Sequence, residues 1–320
     1  MNISQALEAL TGAVRLRHYS RRTEECYRLW LRSYMQWVRG RGAQGSSEEK
    51  VEAFLTAEAR RGVAASTQNQ AFNALAFFYK EVRKTPLGPI EAARARRPER
   101  VRTALTVEET RALLGAVEDV GGYPTRLVVR LLYGMGLRVC EPLELRMKDV
   151  EMGERRLILR GTKGGKDRMV TLPECLVAEM EGQLRVARAV WRADVAAGLP
   201  VALPGLLGRK SRRLGLAEAW GWVFPAHEAS GHPRTGERVR WRMHEVNVQR
   251  CVRAAAGQVG LAGRATPHVL RHSYATHAHR NGAAARDLQE VLGHRQLETT
   301  MRYLTADPGR VRSPLEVLAG

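Results

Sequence analysis

A break at residues 85–103 constrains this sequence most, because it separates two stretches that must each fold around a core of their own. The break opens with four residues that favour turns and interrupt helices: Thr85, Pro86, Gly88 and Pro89. A crowded run of basic side chains follows: Arg94, Arg96, Arg97, Arg100 and Arg102. We therefore predict a helical domain over residues 1–85, a basic linker over 86–103 and a larger domain over 104–320.

The first domain has the apolar spacing of a small helical bundle. One helix should begin at Ser20 or Thr23, end near Gly40 and bury a mostly aromatic stripe: Tyr27, Trp30, Leu31, Tyr34 and Trp37. A second helix should begin near Ser46 and a third at Ser66. The stripe fits a hydrophobic core, and a platform on which nucleotide bases stack is the alternative.

The second domain is predicted to be mainly helical with a small β-sheet. Thr106 followed three residues later by Glu109 is typical of a helix N-terminus, and residues 125–135 have the pattern of a buried helix. Two short apolar runs, residues 157–159 and 169–172, predict strands that a polar turn connects.

The formal net charge of +19 favours a polyanionic partner. Residues 1–103 hold 19 Lys and Arg against 10 Asp and Glu, and the rest of the chain holds 33 against 23. Two basic domains joined by a basic strap could close around a DNA duplex, although charge alone also fits an arginine-rich surface in water. The apolar runs are too short to span a membrane, and we expect a cytoplasmic protein.

Six side chains have the chemistry to cleave a phosphodiester without a metal ion: Arg138, Lys163, His268, Arg271, His294 and Tyr303. Displacement at phosphorus concentrates negative charge on the non-bridging oxygens, which guanidinium forks and histidine donors can stabilise. A tyrosine hydroxyl can attack phosphorus and hold the strand as an ester. A lysine can protonate the leaving 5′ oxygen. Each residue alone also fits an ordinary structural role, so only the joint pattern carries weight.

The stretches around these residues resemble the tyrosine recombinase family in order and spacing. An Arg box, a hairpin lysine, an HxxR box and a GH box nine residues before the nucleophile read here GLRVCEPLEL, TKGGKDR, HVLRHSYATH and LGHRQLETTMRYLT. The resemblance implies a helical, SAM-like core-binding domain before the linker. It also implies a catalytic domain of the DNA breaking–rejoining fold after the linker.

The same resemblance implies a role for each candidate residue. Tyr303 would be the nucleophile and Lys163 the general acid, while Arg138 and Arg271 would clamp the scissile phosphate. The remaining residues would assist or support the site: His268, His294 and Glu141.

Family membership further implies the course of the reaction. Four protomers would assemble on two DNA sites and exchange strands through a Holliday junction, with neither ATP nor a metal or other cofactor. The tail, residues 307–320, would pack on a neighbouring protomer or, alternatively, on its own subunit.

A closer resemblance, to integron integrases, covers nearly the whole chain. It lies in RHYSRRTEECYRLW, STQNQAFNAL, the terminal VRSPL and an insertion at residues 198–224 that ends in WGWVFP. In that group the insertion helps to hold bases that protrude from a folded single-stranded cassette site. Trp220 and Pro233 match positions that hold such bases, although Trp220 and Trp222 could instead pack the insertion.

Two departures from the pattern stand out. Trp241 and Arg242 occupy the place of two adjacent histidines, and either could still stack on a base. Pro142 lies four residues after Arg138 in a predicted helix, where it would remove a backbone hydrogen bond and could kink the chain. Together with the linker residues Arg94, Arg96 and Arg97, Trp241 and Arg242 complete the expected DNA contacts.

Several other functions remain open. A general recombinase of duplex sites and a type IB topoisomerase-like relaxase would use the same chemistry. A DNA-binding protein whose site Pro142 has impaired is the alternative without catalysis.

Overall fold

The computed structural model describes residues 1–41, 44–90, 103–161, 167–205, 207–233 and 235–293. The chain divides into two compact units, Met1–Val101 and Arg102–Gly320. Across the described ranges, no helix has both the length and the apolar character needed to cross a bilayer.

The described part of the first unit is helical throughout. Its elements are α1 (Ile3–Leu16), α2 (Arg21–Arg41), α3 (Ser47–Arg60), α4 (Ala65–Phe77) and a π-helical turn at Phe78–Val82. The start of α2 matches the sequence prediction, because the Ser20 hydroxyl accepts a hydrogen bond from the Thr23 amide at 3.1 Å. Ser46 and Glu49 form the reciprocal cap expected at the start of α3.

The first helix, α1, is an element that the sequence reading missed. The Asn2 side chain accepts a hydrogen bond from the Gln5 amide at 2.9 Å, and the Gln5 side chain accepts one from the Asn2 amide at 3.0 Å. Leu7, Leu10 and Val14 then bury one face of the helix at helical spacing.

Phe54 lies at the centre of the first unit, fully buried. Trp30, Tyr34 and Trp37 approach its ring edge-on, with centroid separations of 6.5, 5.4 and 5.8 Å. Edge-to-face contacts of this kind stabilise a core beyond simple area burial. The aromatic stripe of α2 therefore faces the core.

The described part of the second unit is mainly helical, as the sequence predicts, and has two small sheets where the sequence predicts one. Its helices are α5 (Val107–Ala116), α6 (Thr125–Gly134), α7 (Cys140–Leu143), α8 (Val177–Ala196), α9 (Leu207–Lys210), α10 (Arg212–Leu216), α11 (Glu245–Gln258), α12 (Pro267–Arg280) and α13 (Ala285–Leu292). Short 3-10 turns occur at Met147–Asp149, Glu174–Leu176 and Glu218–Trp220. The strands are β1 (Val150–Glu151), β2 (Arg156–Leu159), β3 (Arg168–Thr171), β4 (Ser230–Gly231) and β5 (Arg238–Val239).

The strands β1, β2 and β3 form one antiparallel sheet in that order, and β4 pairs with β5. Leu159 lies opposite Arg168 at the end of the β2–β3 ladder, so Arg168 is the first residue after the connecting turn to enter the sheet. Lys163 belongs to that turn by sequence and lies outside the described residues.

Helix α6 is the central element of the second core, where Val128, Leu131 and Leu132 are fully buried. It packs against α11 and α12. Just after α6, the Gly136 carbonyl accepts a hydrogen bond from Arg271 of α12 at 2.7 Å, which brings distant parts of the sequence to one place.

Candidate active site

Arg138 emerges from a tight turn after α6. Gly136 has a left-handed φ of +61°, a conformation that costs a non-glycine residue energy. The side chain of Glu141, three residues on, accepts hydrogen bonds from the Arg138 amide and from its Nη1, both at 2.7 Å. The short helix α7 therefore holds Arg138 by its own second residue.

Pro142 does not disrupt this arrangement. Helix α7 begins at Cys140, so Pro142 is its third residue. Amides in the first turn of a helix have no hydrogen-bond partner within the helix, so a proline there removes no hydrogen bond. The Arg138 carbonyl accepts from the Glu141 amide at 2.9 Å instead.

Arg271 and His268 belong to the first turns of α12. The Thr266 hydroxyl caps this helix, accepting from the Val269 amide at 3.2 Å, and Pro267 occupies the first helical position. His268 is exposed, whereas the Arg271 side chain is only 2% exposed. Arg271 donates to the Gly136 carbonyl at 2.7 Å. This bond ties α12 to the turn before Arg138.

Three guanidinium groups surround the carboxylate of Glu141. Arg138 contacts it as described, and Arg168 donates to both carboxylate oxygens at 2.7 Å, a bidentate pairing. Nη1 of Arg271 lies 3.8 Å from Oε2. The structure thus brings three of the predicted site residues together, Arg138, Glu141 and Arg271, and adds Arg168 to them; that Arg138 and Arg271 clamp a phosphate stays a prediction.

The same three arginines bind the C-terminal end of α13. Arg168 donates to the Val291 carbonyl at 2.9 Å, and Arg271 to the Leu292 carbonyl at 2.6 Å. Arg138 donates to the Gly293 carbonyl at 3.2 Å. Carbonyl groups at a helix C-terminus lack partners within the helix and carry partial negative charge, so cations stabilise them. His294 is the next residue in the sequence.

The cluster carries a surplus of positive charge. Burial opposes ionisation of Glu141, but the hydrogen bonds and charge of Arg168, followed by the hydrogen bonds of Arg138, outweigh burial and lower its pKa below the ordinary value. One carboxylate therefore faces three cations. The excess suits an anion such as a phosphodiester, and Arg138, at 28% exposed, is the most accessible of the three.

Several predicted residues cannot be placed. Lys163, His294 and Tyr303 lie outside the described residues, and so do Arg94, Arg96 and Arg97. Their roles remain predictions.

The insertion at 198–224 is attached to the Arg box through the backbone. The Val223 amide donates to the Leu145 carbonyl at 3.0 Å, and the Met147 amide to the Gly221 carbonyl at 2.9 Å. On its other side, the Met243 amide donates to the Phe224 carbonyl at 2.7 Å. This extended run therefore lies between the chain that leaves the Arg box and the chain that enters α11.

The two tryptophans of WGWVFP differ in their surroundings. Trp222 is buried, donates to the Arg240 carbonyl at 3.0 Å and has the Arg146 guanidinium 3.1 Å from its ring centroid. Trp220 is half-buried, and Nζ of Lys148 lies 3.2 Å from its ring centroid. Trp222 thus packs the insertion, whereas one face of Trp220 holds a cation that another group could replace.

The Arg146 guanidinium lies beside the rings of both Trp220 and Trp222. It donates to the carbonyls of Trp220 and Ala202, each at 2.7 Å. Burial lowers its pKa, while the charges of Asp149 and Glu144 oppose that shift.

The other proposed base-contact residues lie around the β4–β5 hairpin. Pro233 is exposed in its loop, and Trp241 stacks nearly parallel on His232, with centroids 5.6 Å apart. Arg242 donates to the Met243 carbonyl at 3.0 Å and lies 3.4 Å from Glu245.

Sequence reasoning missed four residues of these arrangements: Arg146, Lys148, Arg168 and His232. Arg168 ends the TKGGKDR stretch, and Arg146 and Lys148 lie within three residues after the Arg box. Their closeness to these motifs in the sequence could have indicated a part in the site. Their partners are fixed only by the packing of distant segments.

Comparison with known sequences yields two family matches. Residues 103–310 match the phage integrase family, and residues 6–89 match the phage integrase N-terminal SAM-like domain. A protein named integrase/recombinase from Escherichia coli is 42% identical over 98% of this chain and 94% of its own length. Tyrosine recombinase XerD from Rhizobium meliloti is 31% identical over 90% of this chain and 83% of its own.

A solved structure has the same fold. The crystal structure of a lambda integrase tetramer bound to a Holliday junction superposes with a TM-score of 0.60, at 17% identity, over 97% of this chain and 79% of that one.

Proposed function

This chain belongs to the phage integrase family of tyrosine recombinases, enzymes that exchange DNA strands in site-specific recombination, and we propose that it integrates and excises gene cassettes as an integron integrase does. The observation that carries the chemistry is that Arg138 and Arg271 meet at one carboxylate, Glu141. The resemblance of nearly the whole sequence to integron integrases supports the choice of substrate.

In this proposal Tyr303 gives its hydroxyl proton to water as its oxygen attacks the scissile phosphorus, and a 3′-phosphotyrosine ester forms. The bond from phosphorus to the 5′ oxygen breaks, and Lys163 gives that oxygen its proton. Arg138 and Arg271 stabilise the charge on the non-bridging oxygens, with His268 and His294 as further donors. Attack by a 5′ hydroxyl of the partner strand then reverses the step and releases the tyrosine.

Glu141 positions the Arg138 guanidinium of the phosphate clamp through its carboxylate. Bases that protrude from a folded cassette site would stack on a group of residues in and after the insertion: Trp220, Pro233, Trp241 and Arg242. An unpaired base costs little to extrude and gains by stacking on an aromatic surface. A base on Trp220 would displace the ammonium of Lys148, which could then pair with a phosphate.

The domain roles follow the same pattern. Residues 1–85 would bind DNA as the core-binding domain, residues 86–103 would follow the backbone through Arg94, Arg96 and Arg97, and residues 104–320 would carry catalysis. Four protomers would assemble on two sites, with the tail at 307–320 on a neighbour. The lambda integrase tetramer on a Holliday junction supports this assembly. With DNA as substrate, we place the protein in the cytoplasm, at the nucleoid.

An adduct assay tests the proposal. The protein is mixed with a nicked cassette site as a folded hairpin or as a duplex, and covalent protein–DNA adduct is measured beside DNA binding. We expect more adduct on the hairpin, and none with Tyr303→Phe, which should still bind DNA. Tyr123→Phe is the matched control, because that hydroxyl accepts a hydrogen bond from the His227 amide, at 3.1 Å, on a different part of the unit. Adduct with Tyr303→Phe would exclude this nucleophile, and preference for the duplex would exclude the cassette assignment.

A further inference from the structure

Arg168 makes more connections in the cluster than its place at the start of a strand would suggest. Its two terminal nitrogens bind the two oxygens of Glu141, and its Nε donates to the Val291 carbonyl at 2.9 Å. Its side chain is 10% exposed. It also lies over Gly293, where an added Cβ would come within 3.1 Å of its Nη1.

These contacts join three segments that carry predicted catalytic residues. Strand β3 follows the turn of Lys163, Glu141 holds Arg138, and Val291 lies in the last turn of α13, shortly before His294 in the sequence. Each segment comes from a different part of the sequence. Arg168 belongs to the segment of β3, and its side chain binds to the other two segments through the Glu141 carboxylate and the Val291 carbonyl.

We infer that Arg168 is a positioning residue for strand cleavage, which sets the place of the Arg138 guanidinium by holding the Glu141 carboxylate. The inference goes beyond the roles proposed above, and it rests on the proposed phosphate clamp.

The charge balance gives the physical reason. The Glu141 carboxylate pairs with both Arg138 and Arg168, so it neutralises the charge of Arg138 only in part. The Arg138 guanidinium can therefore turn toward a phosphate. Without Arg168 the carboxylate would pair more fully with Arg138 and draw it away from the DNA. The planar fork also fixes the carboxylate plane through two parallel bonds, which a single ammonium cannot do.

Single-turnover cleavage of a nicked substrate measures this role. We expect Arg168→Met to bind DNA with a half-saturating concentration within about twofold of the unmodified protein. Its rate of adduct formation at saturation should fall by about 100-fold, the scale of an ångström-sized misplacement. Arg168→Lys keeps the charge without the fork and should recover only part of the rate. An unchanged rate in Arg168→Met would overturn the inference, and so would full recovery in Arg168→Lys.

A double-substitution cycle tests the route through Glu141. If Arg168 acts by holding this carboxylate, Arg168→Met should lower the rate far less in a Glu141→Gln protein than in the unmodified one, because coupled residues are not additive. Independent, multiplying losses would overturn the inference.

A substrate with sulfur in place of the bridging 5′ oxygen separates the clamp from the general acid. A thiolate leaves without needing a proton, so this substrate should restore cleavage to Lys163→Ala. It should not restore cleavage to Arg168→Met if Arg168 acts on the clamp. Restoration of both would show that Arg168 acts through the lysine turn and would overturn the inference.

Arg130→Met is the matched control. Arg130 forms an ion pair with Glu179, which links α6 to α8 in the same unit. This variant should keep the saturating rate. No adduct from the unmodified protein would overturn the proposed function and this inference together. A normal adduct that Arg168→Met retains would overturn the inference alone.

Discussion

Gly136 is the residue at which a single added methyl group would disturb the site most directly. Its φ is +61°, and a Cβ there would lie 2.4 Å from a ring carbon of Tyr274 and 2.9 Å from Leu292. Gly121 has nearly the same φ, +60°, with nothing within 4 Å. Alanine substitutions at Gly136 and Gly121 therefore separate the cost of backbone strain from the cost of steric overlap.

We therefore expect Gly136→Ala to destabilise the protein more than Gly121→Ala. Each should lose about 1–2 kcal/mol to the left-handed backbone. Gly136→Ala should lose about 1–3 kcal/mol more because it overpacks the core. Urea unfolding measures both variants, and equal losses would contradict the steric account. The Gly136 carbonyl binds Arg271, so adduct formation should fall in that variant alone.

His277 links stability to pH. Its Nε2 lies 2.9 Å from the Leu105 carbonyl, and its Nδ1 lies 2.9 Å from the Tyr133 hydroxyl. A carbonyl only accepts, so Nε2 carries the proton and Nδ1 accepts from Tyr133. Burial lowers the pKa of His277 below its ordinary value and the charge of Arg280 lowers it further, against the Leu105 hydrogen bond and the charge of Glu108.

Because the neutral His277 ring takes up a second proton less readily in the folded protein than in the unfolded chain, the contribution of His277 is fully present above about pH 6.5 and is lost as pH falls through the folded pKa. His277→Gln keeps one donor and one acceptor without titrating. We expect the difference in unfolding free energy between the two proteins to shrink from about pH 7.5 to about pH 5. A constant difference across denaturant titrations in that range would show that His277 does not titrate in folding.

At the scale of elements, the helix starts were the most predictable part of the fold. Thr106 and Glu109 form the reciprocal cap that their spacing indicates, with bonds of 3.1 and 2.9 Å. The same local signal is present at Asn2 and Gln5, which form the reciprocal cap at the start of α1. Helix starts of this kind depend on three or four neighbouring residues, so they can be predicted from the sequence alone.

The arginine cluster was predictable only in part. Resemblance indicated Arg138, Glu141 and Arg271, yet Arg168 gains its role from the register of β2 with β3 and from the end of α13. Its hydrogen-bond partners Glu141 and Val291 lie 27 and 123 residues away along the chain. Local patterns do not encode such contacts, because they depend on how whole elements pack.

Helix α7 offers a direct test of whether Pro142 impairs the site. In the first turn, proline loses no hydrogen bond and restricts the unfolded chain, which stabilises a protein by about 0.4–1 kcal/mol. Pro142→Ala should therefore cost up to about 1 kcal/mol and leave the cleavage rate unchanged. If the variant instead cleaved faster than the unmodified protein, measured by single-turnover adduct formation, Pro142 would be a kink that spoils the site.

At the scale of the whole molecule, the net charge of +19 should govern DNA affinity through salt. Each phosphate that a protein cation neutralises releases condensed counterions, and contributes about 0.9 to the slope of log affinity against log salt concentration. If Arg94, Arg96 and Arg97 each contact a phosphate, replacing all three with glutamine should lower that slope by about 2.7. Fluorescence anisotropy of a labelled duplex across a salt series measures the slope.

Net charge and local contact have to be separated in this measurement. Arg185, Arg192 and Arg253 are exposed on α8 and α11, and replacing them with glutamine removes the same three charges from the chain. Counterion release depends on cations at the phosphates and falls off with distance, because salt screens exposed charges over about 8–10 Å. The linker variant should therefore lose much more slope than this control. Equal losses from the two variants would mean that the arginine-rich linker acts only through total charge and does not follow the DNA backbone.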